Sequence, residues 1–171
     1  MKEENAAFAR MIYQAIVDAM EGKPALYSLD RIAWLGAAQA CLECGWGKAP
    51  SFLHANNPFG IKPVQGQPFM GSEYGNVRVF RDIAEACRSW AYLVFASSLY
   101  IPARILLLHA LQNGAEYKPE REIYLEWFKE FCHRYNTEDP HYWDKISALA
   151  VEVEPLFFVP IAGHETTEKE K

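Results

Sequence analysis

Two apolar stripes at helical spacing precede a stretch with no period, and four more helical patterns follow it. Phe8, Met11, Ile12, Ala15, Ile16 and Ala19 predict a helix over 5–20. The pattern over 29–45 places Ile32, Leu35, Gln39 and Leu42 on one stripe and Ala33, Gly36, Ala37 and Ala40 on a small-residue face that another element can approach closely. Ser28 is its expected N-cap, and Gly45 and Gly47 its stop. Residues 46–80 are broken by glycine and proline, and alternation on either side of Gly75 and Asn76 predicts a small hairpin. Asp82, with Glu85 three residues on, predicts a capped helix burying Ala86, Trp90, Leu93 and Val94. Pro102 opens a helix through Ala110 that closes near Gly114. Pro119 opens another along Ile123, Tyr124, Trp127, Phe128 and Phe131, and Asp139 and Pro140 cap a last one to about Ala150. The pattern implies a mainly helical lobe with one short β excursion. Residues 1–162 read as a single domain, and 163–171, without an apolar anchor, as a disordered tail.

Composition narrows the class. The chain has 171 residues, half of them apolar and 14 % aromatic, enough for one sizeable core with aromatic side chains left for a binding surface. A net charge of −5 argues against nucleic acid as partner. No apolar run reaches the roughly 18 residues of a membrane span. The acidic N-terminus leads into an amphipathic helix rather than a secretory signal, so the expectation is synthesis in the cytoplasm without a signal peptide. Cys41, Cys44, Cys87 and Cys132 are expected to be buried and reduced, since helix geometry disfavours a bridge between Cys41 and Cys44. No Cys/His spacing resembles a zinc site, and no metal or cofactor is expected.

The candidate chemistry centres on Glu43. It falls in the last helical turn, where the macrodipole disfavours a carboxylate by about 0.3–1 kcal/mol. Packing against Trp46 would desolvate it. Both effects favour the protonated acid, the form that cuts glycosidic bonds.

Residues 39–48, Gln-Ala-Cys-Leu-Glu-Cys-Gly-Trp-Gly-Lys, resemble the Ala-Gln-Ala-Xaa-Xaa-Glu-Ser-Gly-Trp-Gly-Lys signature of glycoside hydrolase family 73, the flagellar and autolysin-type peptidoglycan N-acetylglucosaminidases. Asn56-Asn57-Pro58-Phe59-Gly60-Ile61-Lys62 is similar to the family's Asn-Asn-Leu-Phe-Gly-Ile-Lys, and Gly71-Ser72-Glu73-Tyr74 to its Thr-Xaa-Glu-Tyr. Val79-Phe80-Arg81-Asp82 with Glu85-Ala86 resembles its Phe-Arg-Xaa-Tyr run. Tyr135-Asn136-Thr137-Glu138-Asp139-Pro140-His141-Tyr142 resembles its Tyr-Ala-Thr-Asp-Pro-Xaa-Tyr with one residue more. Cys44 stands at the usual Ser and Pro58 at the usual Leu.

The resemblance implies a lysozyme-like α+β fold, a helical lobe and a small β-hairpin lobe flanking a groove. It implies an endo-β-N-acetylglucosaminidase acting on peptidoglycan glycan strands. Glu43 is then the general acid and Glu73 the water-activating base or electrostatic stabiliser, with Asp82 as a rival carboxylate that capping already explains. The substrate's own acetamido oxygen is a further alternative, oriented by Tyr135 or, second, Tyr142. Trp46, Phe59 and Tyr74 are candidates for stacking on sugar rings. Asn57 binds an acetamido group or makes a turn. A lytic transglycosylase or muramidase, such as a phage endolysin, is the enzymatic alternative, and a non-catalytic wall-binding module the non-enzymatic one. Combined with the missing signal, the resemblance suggests a type VI secretion effector that acts in the periplasm or wall of a target cell, with a periplasmic immunity protein blocking the groove.

Overall fold

The computed structural model describes residues 1–23, 27–113 and 119–158, with Glu73 and Asn113 described in their backbone alone. The expected tail at 163–171 and the helix stop at Gly114 lie outside these residues. Seven helices are described: α1 (Glu3–Ala19), α2 (Leu29–Glu43), the single turn α3 (Pro50–Leu53), α4 (Ile83–Phe95), α5 (Ile101–Asn113), α6 (Glu120–Tyr135) and α7 (Tyr142–Val153).

Helix α2 is the axis of the core. Every residue from 32 to 41 is buried, as expected of a helix apolar on all sides. Helices α1, α6 and α7 pack on it, and α4 packs on α1. The small-residue face works at Gly36, where a Cβ would stand 2.7 Å from Ile16 Cδ1 and 2.7 Å from Trp90 Cη2. A glycine in mid-helix costs about 1 kcal/mol relative to alanine. Here its missing side chain admits Trp90, which stacks on Phe59 with centroids 5.4 Å apart. Trp34 Nε1 donates to Ala150 O (2.8 Å) and ties α2 to α7.

The capping expectations hold in part. Asp82 caps α4, its carboxylate accepting from Glu85 N (2.7 Å), while Glu85 accepts from Arg81 N (2.9 Å). Ser28 precedes α2 but makes no side-chain cap. Helix α7 starts at Tyr142, beyond the expected Asp139, whose side chain accepts from His141 N (3.0 Å).

The hairpin expectation needs correcting. Among the described residues there is no strand, only an isolated antiparallel bridge between Phe69 and Arg78. Met70 N donates to Val77 O and Val79 N to Pro68 O, both at 2.9 Å. The tip is a 3-10 turn, Ser72–Tyr74. Arg78 N and Phe80 N point away from the first arm, as alternate residues of an antiparallel pair do, and donate to Ile61 O and Ala55 O. Pro63 and Pro68 have no N–H to give.

Candidate active site

Glu43 is the last residue of α2. The chain leaves the helix through three consecutive residues with positive φ: Gly45 (54°), Trp46 (60°) and Gly47 (80°). Trp46 N donates back to Cys41 O (3.1 Å). Left-handed backbone costs a non-glycine residue about 1–2 kcal/mol, so the fold holds Trp46 there against its preference. Gly47 is required for a different reason, since a Cβ would meet the Phe8 ring at 2.8 Å. Cys44 fills the Ser position of the motif with the same bonding pattern. Its thiol donates to Ala40 O (2.9 Å) and accepts from Gly47 N (3.3 Å). All four cysteines are free and buried. Burial pushes the Cys44 and Cys87 thiols up to about 12.

Glu43 opens onto a cavity of about 250 Å³ shared with Lys62, Tyr135, Asn136, Thr137 and Glu138. Burial pushes its carboxyl above the ordinary carboxylate value. A hydrogen bond from Tyr142 and the Lys62 charge pull the other way, by less. The direction matches the sequence argument, although the forces at work are burial, Tyr142 and Lys62 rather than the helix dipole. Glu43 Oε1 accepts from the Tyr142 hydroxyl. Oε2 lies on the side of Gly60, whose φ of 67° places the backbone where a Cβ would stand 2.9 Å from that oxygen.

The two candidate tyrosines divide the work. Their rings are parallel, 6.4 Å apart. Tyr142, at the start of α7, meets the Glu43 carboxylate. Tyr135, at the end of α6, lines the cavity but donates its hydroxyl to Phe59 O (2.7 Å) and pins that loop. Burial raises the phenols of both, so both stay protonated.

Two of the residues considered for sugar contact lie in the core, Asn57 taking its turn-making alternative. Asn57 is fully buried; its amide donates to Ile61 O and Arg78 O at 2.9 Å and accepts from Ile61 N at 3.0 Å. Phe59 is fully buried against Trp90. Both shape the loop that carries Gly60 rather than a sugar surface. Asn56, at a φ of 50°, likewise donates to Phe80 O and Arg81 O. Trp46 is half-buried against the core, and Tyr74 is exposed on the 3-10 turn. The backbone of Glu73 lies in that same turn; its side chain lies outside the described residues.

Sequence reasoning missed Lys62 and Glu138. Lys62 stands in the cavity and also donates to Gly75 O, tethering the 3-10 turn. Glu138 sits where the Tyr135–Tyr142 motif exceeds the family pattern, and that extra length was the available signal. It adds a second carboxylate to the Glu43 cavity. The loop is shaped by Asn136 Oδ1, which accepts from Glu138 N (3.2 Å) and Asp139 N (3.3 Å). Among the described residues no group of three or more His, Cys, Asp or Glu could hold a metal ion.

A half-buried glutamate at a helix end, held toward its neutral form and lining a polar cavity, has the character that an acid in glycoside hydrolysis needs. The sequence profile of the Glucosaminidase family, described as mannosyl-glycoprotein endo-beta-N-acetylglucosaminidase, matches residues 27–154, and the chain belongs to that family. Its fold is similar to the catalytic domain of the autolysin Auto from Listeria monocytogenes. The TM-score is 0.57 and the identity 18 %, over 90 % of this chain and 86 % of that one. No curated protein sequence matches.

Proposed function

We propose that this hydrolase is an endo-β-N-acetylglucosaminidase that cuts the glycan strands of peptidoglycan, with Glu43 as its general acid. The observation that carries the reading is the state of Glu43: desolvated, held toward its neutral form, and lining the polar cavity. The likeness to an autolysin catalytic domain supports the wall as substrate.

The chemistry follows from that placement. Glu43 gives its proton to the leaving glycosidic oxygen as the bond from that oxygen to C1 breaks. An alkoxide leaving group is thereby avoided. Water completes the reaction at C1 and restores the proton. The positive charge that builds at C1 needs a carboxylate or the substrate's acetamido oxygen. Glu138 is the carboxylate that shares the cavity with Glu43, and Glu73 the one named by the sequence motif. Tyr135, on the cavity wall, is the hydroxyl nearest to the acetamido role.

Digestion of purified peptidoglycan, with mass spectrometry of the new reducing ends, tests the reading. N-acetylglucosamine ends are expected. N-acetylmuramic acid or its anhydro form would assign the enzyme to the muramidases or lytic transglycosylases. Glu43→Gln is expected to lose about 10²–10⁴-fold in rate while staying folded. A Glu43→Gln protein that lyses walls like wild type would leave only a binding module. Comparing Glu138→Gln with Glu73→Gln identifies the second carboxylate.

The delivery reading extends the proposal: an enzyme made in the cytoplasm, acting in the periplasm of a target cell as a type VI effector and blocked by an immunity protein. Expression in Escherichia coli with and without an export signal tests it. Lysis by the exported form alone is expected, and a harmless exported form would refute it.

A further inference from the structure

We propose that Trp90 and Gln39 are positioning residues for this reaction: acting through Tyr142, they decide which oxygen of Glu43 carries the acid proton and place it on Oε2, on the Gly60 side. The proposal rests on the reading of Glu43 as general acid.

Three hydrogen bonds run in series through the core. Trp90 Nε1 donates to Gln39 Oε1 (2.8 Å), Gln39 Nε2 donates to the Tyr142 hydroxyl (2.9 Å), and that hydroxyl donates to Glu43 Oε1. Trp90 and Gln39 are fully buried and Tyr142 nearly so. The direction of the chain is not free. An indole N–H can only donate, so the oxygen of the Gln39 amide must face Trp90 and its NH₂ must face Tyr142. The Tyr142 oxygen is then an acceptor on that side, and its single proton points to Glu43. Oε1 of Glu43 therefore accepts, and when the carboxyl is neutral its proton sits on Oε2.

The reversed chain would run from a proton on Oε1 to the Tyr142 oxygen, and from the Tyr142 hydroxyl to Gln39 Oε1. It would turn the Gln39 NH₂ against the Trp90 N–H, two buried donors face to face. A proton on Oε1 would also point into the core, where no glycosidic oxygen can reach it. The chain thus makes a two-fold symmetric carboxyl into a directed acid. During the reaction only the Oε2–H bond breaks, and a new O–H bond forms on the leaving oxygen. No proton moves along the chain. The charge left on Glu43 is met at Oε1 by the Tyr142 hydroxyl.

The charged and titratable groups around Glu43 are Lys62 and Glu138 across the cavity, Tyr142 from α7, Tyr135 and Cys132 from α6, and its own neighbour Cys44. None of them touches the Trp90 N–H, so that group can be removed with the others in place.

Two replacements remove it: Trp90→Phe, and Trp90 exchanged for 3-benzothienylalanine, which keeps the fused rings and has sulfur at the position of the N–H. The readouts are kcat and KM on peptidoglycan across pH, and the titration of the Glu43 carboxyl by ¹³C NMR, assigned by its loss in Glu43→Gln. Without the donor the reversed chain opens for neutral Glu43. The carboxyl then titrates at higher pH than in wild type, yet kcat falls by about tenfold or more with KM within about twofold. An acid that is more protonated and slower is the signature. A benzothienyl variant with wild-type kcat and wild-type titration would overturn the proposal, leaving only the bulk of the ring. A fall in kcat with an unchanged or lowered titration would overturn it too, assigning Trp90 to packing. If Trp90→Phe fails to fold, the benzothienyl variant decides alone. The NMR titration needs no activity, so a protein that does not cut walls but shows the expected titration shift would refute the hydrolase assignment and leave the proton placement standing.

Discussion

Gly60 stands against the Oε2 side of the Glu43 carboxyl, so close that a Cβ on it would lie 2.9 Å from Oε2 and 3.6 Å from Cδ. The asparagine behind it sets this distance. Asn57 spends its whole amide on Ile61 and Arg78, which holds the loop in place beneath the carboxylate. Gly60→Ala is therefore expected to hit both chemistry and fold. The left-handed φ alone costs about 1–2 kcal/mol. Displacement of the acid by even an ångström is expected to cost about 100-fold in rate. Hydrolysis assays beside a thermal melt check this. A Gly60→Ala enzyme with wild-type rate would show that the acid does not need that side open.

Glu43 should weaken the fold where it is ionised. Its native carboxyl is raised above the unfolded value, so the native state binds more protons between the two and stability falls as pH rises through that window. Glu43→Gln removes the liability. The melting temperature of Glu43→Gln should match wild type near pH 4 and exceed it increasingly toward pH 8. A gap that closes as pH rises would contradict the burial argument.

Lys62 is expected to set the upper pH limit of activity. Its charge lowers the Glu43 carboxyl, and the acid works only while protonated. Lys62→Met should therefore move the alkaline limb of the pH–rate profile upward. Loss of the bond to Gly75 O should separately loosen the 3-10 turn that carries Glu73 and Tyr74. A limb that moves downward would show that Lys62 does not act on Glu43 as charge.

Cys44 is expected to be replaceable by the residue the motif normally carries. A serine hydroxyl can repeat both bonds, donating to Ala40 O and accepting from Gly47 N. Cys44→Ser should keep the melt and the rate near wild type. Cys44→Val cannot accept from Gly47 and is expected to lose about 1–3 kcal/mol for the stranded buried donor. Equal melts for the two variants would remove the thiol from the helix-end bonding.

The features set by neighbours in the chain were legible in the sequence. The apolar period marked the helices, the Asp82–Glu85 spacing marked the cap of α4, and glycines after Glu43 marked the stop that leaves an acid at a helix end. These depend on bonds spanning three or four residues and on an apolar face, which sequence displays directly. The arms of the expected hairpin pair only at a bridge, because alternation shows which residues could face each other and not how many bonds the ladder can close. Here Val79 N donates to Pro68 O, and Pro68 has no N–H to return.

Only the tertiary structure decided the site. Tyr135 and Tyr142 lie seven positions apart in one motif, and both offer an aromatic ring with a hydroxyl. The packing of α7 on α2 sends Tyr142 to a carboxylate 99 residues away, and the end of α6 leaves Tyr135 with the Phe59 carbonyl. The same packing brings Glu138 and Lys62 into the cavity and seals Asn57 and Phe59 away from it. Gln39 read as one member of a helical stripe, yet its amide bonds to Trp90 and Tyr142, 51 and 103 residues distant. A buried polar group takes its partners from whatever the fold places beside it, because leaving it unpaired is costly, and chain order carries no record of that choice.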